Sequence, residues 1–568
     1  MTNRIDGWLR AGLGKVAWPL SLAGAILVAL GGLLRWTYDR TILGDLTLYF
    51  NPAPLQYWTL ALGVLAVFFL VVQRTKLRDT LPGGAATTRT LGLFSFLVVW
   101  LVMAAITIQL GGLVNLEPGA YVPAVGALVL LLASRALPDE PPARLRWNVP
   151  GWVQILMIAV ALGVALYAAA YLLNQDDAWV FVTFLVFVTG LVLVTRSFGL
   201  LGFLNLAFIT YRRVTLLAAV VAAFAFPFTQ NGSDANMSIA TQVVIFAITA
   251  IGLNIVVGLA GLLDLGYIAF LGTGAYVGAM MSASAFATIG WHPPFIVVMV
   301  IGALVAAIFG LIIGSPTLRV SGDYLAIVTL AFGEIFRLTM NNLDGTNGPN
   351  LTHGPNGIPN IPDLNVFGFD FGQPHVIFGI SLGRFANYYF LLLVVAGLVV
   401  LAFSRMNDSR IGRGWVAIRE DERAAEAMGV NTFALKLLAF AGGAFLAGLA
   451  GTIKAHHDVS VTPDQYQFLE SAFLLAAVVL GGMGTVGGVL LGAVILKLLP
   501  EKLRFFQDYR LLLFGLLLVV MMRFRPEGMI ASRRRQLELH EEDEELASEL
   551  DTQVADTELK DVEAVVKA

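Results

Sequence analysis

The sequence predicts an all-α polytopic membrane protein with about sixteen transmembrane helices and both termini in the cytoplasm. Three observations predict it. The 568 residues are 57% hydrophobic and only 13% charged, with a mean hydropathy of +0.78, whereas soluble domains carry about 25% charged residues. Apolar runs of about 20 residues, the length that crosses a hydrocarbon core of about 30 Å, recur along the chain. Lys and Arg concentrate in alternate connections between those runs, as the positive-inside rule requires.

The N-terminal stretch MTNRIDGWLRAGLGK is polar and basic. The apolar run that begins at Val16 has no small-residue cleavage site after a short core, so it reads as a retained helix rather than a signal peptide. Spans are read near 16–34, 55–73, 90–110, 119–136, 150–173, 178–196, 212–228, 238–260, 265–283, 293–314, 322–340, 387–404, 433–453, 469–482, 485–500 and 508–524. The intervening run 198–210 is too short to span and reads as an interfacial helix. Basic connections fall at 74–89, 135–146, 196–213, 405–423 and after Arg523, and those at 111–118, 174–177, 229–237 and 284–292 carry no Lys or Arg. With both termini inside, the two sets lie on opposite faces. Two connections fit less well: 35–54 and 501–507 lie outside with two basic residues each.

The longest outside connection, 341–386, is rich in Asn, Gly, Pro and Asp, the chemistry of irregular turns. It is either a binding surface or a cover for helix ends. Residues 1–210 have simple apolar composition and read as an accessory bundle. Residues 211–531 hold almost every polar and Gly-rich irregularity and read as the functional core, with the division near Tyr211-Arg212-Arg213. Residues 532–568 form an acidic tail. From 536 onward it has twelve acidic residues against two lysines, a net of −10, so the rest of the chain carries +7 of the overall −3. That composition favours disorder or a solvated helix, and it gives no support to nucleic acid as a partner, so none is expected.

Between the spans 387–404 and 433–453 lies a charged insert of about 27 residues, RMNDSRIGRGWVAIREDERAAEAMGVN, 405–431. Arg410, Arg413, Arg419 and Arg423 place it in the cytoplasm, and Ala424, Ala425, Ala427 and Gly429 are small enough for close docking. It reads as a helix offered to a soluble partner or as an ordinary amphipathic interfacial loop.

An ionised side chain at the centre of a membrane helix costs about 2.5–3.5 kcal/mol unless paired or wet, so each such group carries information. Asp264, in GLLDLGY between two spans, is read as a solvated group near the cytoplasmic end with a structural or gating role. Glu334 stands three residues before Arg337, and the two read as a translocation-path element or a buried structural pair. Asn254 sits mid-helix, where it can hydrogen-bond across helices, and with Asp264, Glu334, Gly481, Gly482 and Gly484 it makes up the candidate translocation path. Gly443, Ala447 and Gly451 repeat at the spacing that lets helices approach closely. Gly481, Gly482 and Gly484, with Gly487 and Gly488, break an apolar run and read as a tight reversal or as an irregular pathway element at membrane depth.

Chemistry is largely excluded. There is no cysteine, and no G-x-x-x-x-G-K-[ST] loop to cradle a nucleotide. The adjacent His456 and His457 read as a solvated interfacial pair, with a metal site the minor alternative. No cofactor, metal or catalytic set is expected.

Seven segments in one order carry a resemblance: GLNIVVGLAGLLDLGYIAFLGTGAYVGA (252–279), TLRVSGDYLAIVTLAFGEIFR (317–337), GPNGIPNIP (354–362), GRGWVAIREDERAAEAMGVN (412–431), LAGLAGTIKAH (446–456), VVLGGMGTVGGVLLGA (478–493) and RFRPEGM (523–529). Together they resemble the LivM-type membrane permease of branched-chain amino-acid ABC importers, over 212–531. The resemblance implies a transport subunit of the bacterial inner membrane. Its partners would be cytoplasmic ATPase subunits, a second permease subunit and a periplasmic substrate-binding protein. It also implies an ATPase-coupling helix of pattern Glu-Ala-Ala, three residues, Gly. Aligned on Gly429, the alanines fall at Ala424 and Ala425, and the Glu position is held by Arg423 with Glu422 one residue earlier. The coupling set is then Arg413, Arg419, Glu422, Ala424, Ala425 and Gly429. A permease of the same kind for urea or short amides, a self-sufficient secondary transporter and a non-transporting scaffold are the competing readings.

Overall fold

The computed structural model describes residues 9–37, 54–76, 84–109, 111–138, 147, 149–175, 177–317, 323–346, 348–377, 379–502, 510–524 and 528–530. The acidic tail lies outside them. Each of the sixteen apolar runs coincides with a helix. Among the described residues nine helices are long and apolar enough to cross a membrane, and four shorter apolar helices accompany them. The protein is a helical multi-pass membrane protein. The chain divides into two compact units, Met1–Asn231 and Gly232–Ala568. The sequence placed the division at Tyr211; the helix that follows it belongs instead with the first unit.

The first unit contains α1 (Ala17–Gly31), α2 (Pro54–Val72), α3 (Ala85–Gln109), α4 (Pro118–Arg135), α5 (Gly151–Asn174), α6 (Ala178–Ser197), α7 (Leu200–Thr210) and α8 (Arg212–Ala225), then a 3-10 turn Phe226–Gln230. Helix α6 starts where Asp177 accepts a hydrogen bond from the Trp179 amide at 2.7 Å, satisfying one of the free donors of a first turn. The core is aromatic. Trp58 stacks on Phe187 with centroids 5.7 Å apart and meets Tyr171 edge-on at 5.8 Å.

The second unit contains α9 (Asp234–Asn254), continued by a π-helical segment Ile255–Leu259; then α10 (Ile268–Met280), α11 (Phe295–Thr317), α12 (Asp323–Asn342), α13 (Arg384–Asp408), α14 (Arg410–Glu420), α15 (Glu422–Ala427), α16 (Thr432–Asp458), α17 (Phe468–Gly481), α18 (Val486–Lys502) and α19 (Arg510–Phe524). Two ends can be defined. The cap end carries the 341–386 connection, which is not wholly irregular: two short antiparallel hairpins pair Asn365–Val366 with Phe369–Asp370 and His375–Ile377 with Ile380–Leu382, small exceptions to the all-α expectation. The insert end carries α14 and α15.

The small residues of α16 work as their spacing suggests. A Cβ on Gly451 would stand 2.0 Å from the Leu271 carbonyl oxygen of α10, and one on Gly443 would stand 2.9 Å from that of Gly252 in α9. Overpacking of this kind costs about 1–3 kcal/mol. Gly451→Ala is therefore expected to lower the thermal midpoint of the detergent-purified protein. Gly442→Ala, where a Cβ meets only the Met406 methyl at 3.5 Å, should leave it unchanged or raise it. Equal midpoints for the two variants would refute this packing account.

Candidate functional site

One crossing of the second unit is broken. The continuous run Asp234–Leu259 is 26 residues long, about 39 Å at 1.5 Å per residue. It starts at the cap end, where Thr241 Oγ1 lies 2.7 Å from His457 Nε2. It ends at the insert, where the Gly258 carbonyl accepts from Arg419 Nη1 at 3.0 Å. The chain then returns as an irregular segment, 260–267, before α10 begins. Ile268 shares a cavity with Ile245 and Phe246, residues at the middle of that 26-residue run. Helix α10 is thus a half-helix of 13 residues that starts at half depth, and 260–267 completes its crossing.

Irregular backbone at such depth must be satisfied by protein, and it is. Leu265 N donates to Thr329 Oγ1 at 3.0 Å, Ile268 N to Ser471 Oγ at 3.0 Å, and Tyr267 Oη to the Gly443 carbonyl at 2.5 Å. Asp264 belongs to this segment and is only 1% exposed. One carboxylate oxygen accepts from Gly266 N at 2.9 Å; the other is buried without a hydrogen-bond partner among the described residues. The sequence reading of a solvated Asp264 is therefore corrected, because the segment folds inward against α12 instead of emerging at the membrane surface.

The cavity, about 530 Å³, opens on the cap-end half of this unit. Its floor and one wall are apolar, from Ile245, Phe246, Ile268 and Leu271. The remaining wall carries ion pairs. Lys497 Nζ lies 3.0 Å from Glu470 Oε2 and 4.7 Å from the centroid of the Phe246 ring. Lys454 pairs with Asp458 one helical turn later. Arg384 donates to Asp363 at 2.6 Å and to the carbonyls of His456 and His457 at 2.8 and 3.0 Å. Both histidines are buried, at 7% and 2% exposure, so the reading of a solvated pair is corrected. His456 Nδ1 lies 2.8 Å from the Pro362 carbonyl and His457 Nδ1 lies 2.6 Å from Asp458. His456 thus ties the cap to the end of α16 and His457 ties α16 to Thr241 of α9, and no cluster of metal-ligating side chains occurs among the described residues.

The insert is two helices rather than one. Ser409 caps α14 by accepting from Ile411 N and Gly412 N at 3.1 and 3.2 Å, and Asp421 breaks the run and caps α15 through Ala424 N at 3.0 Å. Gly429 ends α15 at φ 83, a left-handed conformation that costs other residues about 1–2 kcal/mol. Trp415 is fully buried and donates its indole N–H to the Leu435 carbonyl at 2.7 Å. The exposed surface includes Arg410, Arg413 and Glu420 of α14 and, most continuously, α15 and its exit: Arg423, Ala424, Glu426 and Met428, the last 85% exposed.

Of the six residues expected to couple to a partner, Arg413, Glu422, Ala424 and Gly429 are exposed. Ala425 is buried at 5%. Glu422 is paired internally with Lys436 of α16. Arg413 donates to the Asp408 carbonyl at 3.2 Å, and Arg419 binds Glu420 as well as Gly258. The pathway set also divides. Asn254 is the last residue of α9, not mid-helix, and does bond across helices: its Oδ1 accepts from Gly484 N at 2.8 Å. Gly482 and Gly484, at φ 121 and 79, make the tight reversal between α17 and α18. Gly481 is pressed against Gly488, whose carbonyl oxygen would stand 2.1 Å from an added Cβ. Glu334 and Arg337 form a half-exposed pair, extended by Asp464 at 3.3 Å; it is neither buried nor part of the cavity lining. None of the pathway residues lines the cavity. The residues that do, Glu470 and Lys497 above all, were missed, although an acid and a base inside apolar spans satisfy the rule that drew attention to Asp264.

The sequence profile of the family described as branched-chain amino acid transport system / permease component matches residues 236–522. The high-affinity branched-chain amino acid transport system permease protein LivM of Salmonella typhimurium is 40% identical over 340 residues, covering 58% of this chain and 77% of that one. LivM of Escherichia coli gives the same identity and coverage. A probable branched-chain amino acid transport permease LivM of Methanocaldococcus jannaschii is 26% identical over 257 residues, 42% of this chain and 69% of its own. No solved structure matches the chain.

Proposed function

Because the chain belongs to the branched-chain amino acid transport permease family, we propose that it is the membrane-spanning permease of an ATP-driven importer that moves branched-chain amino acids into the cytoplasm. One observation carries the mechanism. The exposed insert is tied by Arg419 to the π-helical segment, and the same strand of chain runs on through 260–267 to the cavity floor at Ile268. A displacement of the insert by a closing ATPase pair is thereby delivered to the cavity. π-Helical turns cluster at functional sites, and discontinuous helices at half depth are how many transporters build a pathway.

In this reading the Arg-rich insert end is cytoplasmic and the cap end is periplasmic, where a binding protein would deliver substrate. The sixteen spans all cross, a second permease subunit completes the pathway, and the chain resides in a bacterial inner membrane. The first unit and the acidic tail are accessory. Reconstituted with its partners in liposomes, the protein should accumulate leucine only with ATP. Uptake driven by an ion gradient without any ATPase would overturn the proposal.

The docking surface has its own test. Met428→Asp changes a residue that the fold leaves exposed, so the permease should insert normally but lose capture of the ATPase by about tenfold or more, the scale for an apolar anchor at an interface. Undiminished capture would remove α15 from the contact.

A further inference from the structure

The cavity says more about the ligand than the family does. Its lining carries both signs: Lys497 pairs with Glu470 and Lys454 with Asp458, and the charge of Arg384 is met by Asp363 outside the lining. A wall of one sign would suit an anion or a cation, and an uncharged amide such as urea needs no ionised wall at all. Taking even paired charges out of water costs more than an apolar lining of the same shape would, so a neutral cargo does not account for them. Balanced pairs opposite an apolar face of Ile245, Phe246, Ile268 and Leu271 match a molecule that is itself zwitterionic at one end and apolar at the other.

The half-helix narrows the assignment. Its N-terminal amides are already used: Ile268 N by Ser471 Oγ, Ala269 N by the Gly266 carbonyl and Phe270 N by that of Tyr267. No free amide is left to hold a carboxylate, so a side chain must do so. Lys497 and Glu470, 29% and 35% exposed, stand beside the apolar floor through Phe246 and are open to the cavity. We infer that this cavity is a transient binding site for an α-amino acid with an apolar side chain, Lys497 receiving the carboxylate and Glu470 the ammonium as their own pair opens. The inference rests on the transporter reading above and adds the residues that select the substrate class.

The test is equilibrium binding of radiolabelled leucine to the detergent-purified complete transporter without its binding protein. Leucine should be displaced by valine, and at least about tenfold less well by 4-methylpentanoate, which lacks the ammonium, by 3-methylbutylamine, which lacks the carboxylate, and by urea, since a charge-assisted contact is worth about 1.5–3 kcal/mol. In Glu470→Gln the preference for leucine over 4-methylpentanoate should collapse. A purely structural role for Glu470 would leave that ratio unchanged. Should the single variant fail to assemble, Glu470→Gln with Lys497→Gln removes both charges and leaves none unpaired; it should weaken leucine binding about tenfold or more. An unchanged ratio, an undiminished double variant, or urea competing as well as valine would overturn the site. Liposome uptake by the unaltered complex separates the two readings. Absence of ATP-driven leucine uptake overturns the transporter itself, and normal uptake with an unchanged ratio overturns only the site.

Discussion

Arg419→Ala should cut ATP-driven uptake about ten- to hundredfold while the permease still inserts and still captures its ATPase. The guanidinium reaches from α14 to the π-helical segment, donating to the Gly258 carbonyl at 3.0 Å, and it is only 18% exposed. A hydrogen bond with a charged partner contributes about 1.5–3 kcal/mol, and each 1.4 kcal/mol is a factor of ten in an equilibrium. Losing it lets the insert move without dragging the segment along. The signature is a split: ATP hydrolysis persists and substrate-loaded binding protein no longer accelerates it. Arg419→Lys keeps the charge and one donor on a flexible stem, so it should fall between the two. Uptake at the wild-type rate in the alanine variant, or a loss matched by loss of ATPase capture, would show that Arg419 belongs to the docking surface or to nothing.

The helices were legible because lipid demands it. With no water to satisfy the backbone, a spanning segment has to be a helix of predictable length; each of the sixteen apolar runs coincides with a helix, and among the described residues nine helices are long and apolar enough to cross. The boundary of the units was not legible. Helix α8 begins with Arg212-Arg213, which looks like a domain junction, yet α8 packs on α5 within the first unit. At the site, the sequence found the right chemistry in the wrong geometry. GLAGLLDLGY carries three glycines and an acid, the composition of an unwound crossing, but it reads as a short solvated connection between two full spans, and the Gly481–Gly488 region drew the pathway reading instead. The reason is energetic. Gly482 and Gly484 serve a turn between two antiparallel helices, held by Asn254, whereas 260–267 and the first residue of α10 are stabilised by partners 64 to 203 residues away, Thr329, Gly443 and Ser471. No local pattern announces those partners. The cavity was missed for the same cause: Glu470 and Lys497 lie 27 positions apart, and each alone is merely an odd charge.

Trp415→Ala should have the largest effect of any single change to the insert. The indole is fully buried, and its N–H bonds the Leu435 carbonyl in the first turn of α16, with Ile418 beside it at 5% exposure. Truncating a buried Trp costs about 3–5 kcal/mol, and here the loss falls on a small element. Helices α14 and α15 have 11 and 6 residues, too few to be stable apart from tertiary packing, so the whole deficit is expressed locally. Limited proteolysis should cut between Ser409 and Asn431 in the variant and not in the wild type, and ATPase capture should be lost together with uptake. Trp415→Phe keeps most of the apolar contact and gives up one hydrogen bond, a cost of about 1 kcal/mol; it should resist proteolysis and retain capture. The pair thus separates packing from hydrogen bonding, and distinguishes this residue from Arg419, whose loss spares capture. If Trp415→Ala remains protease-resistant and captures ATPase normally, the insert is held by its caps at Ser409 and Asp421 and not by the tryptophan, and the rigid transmission assigned to α14 has no anchor.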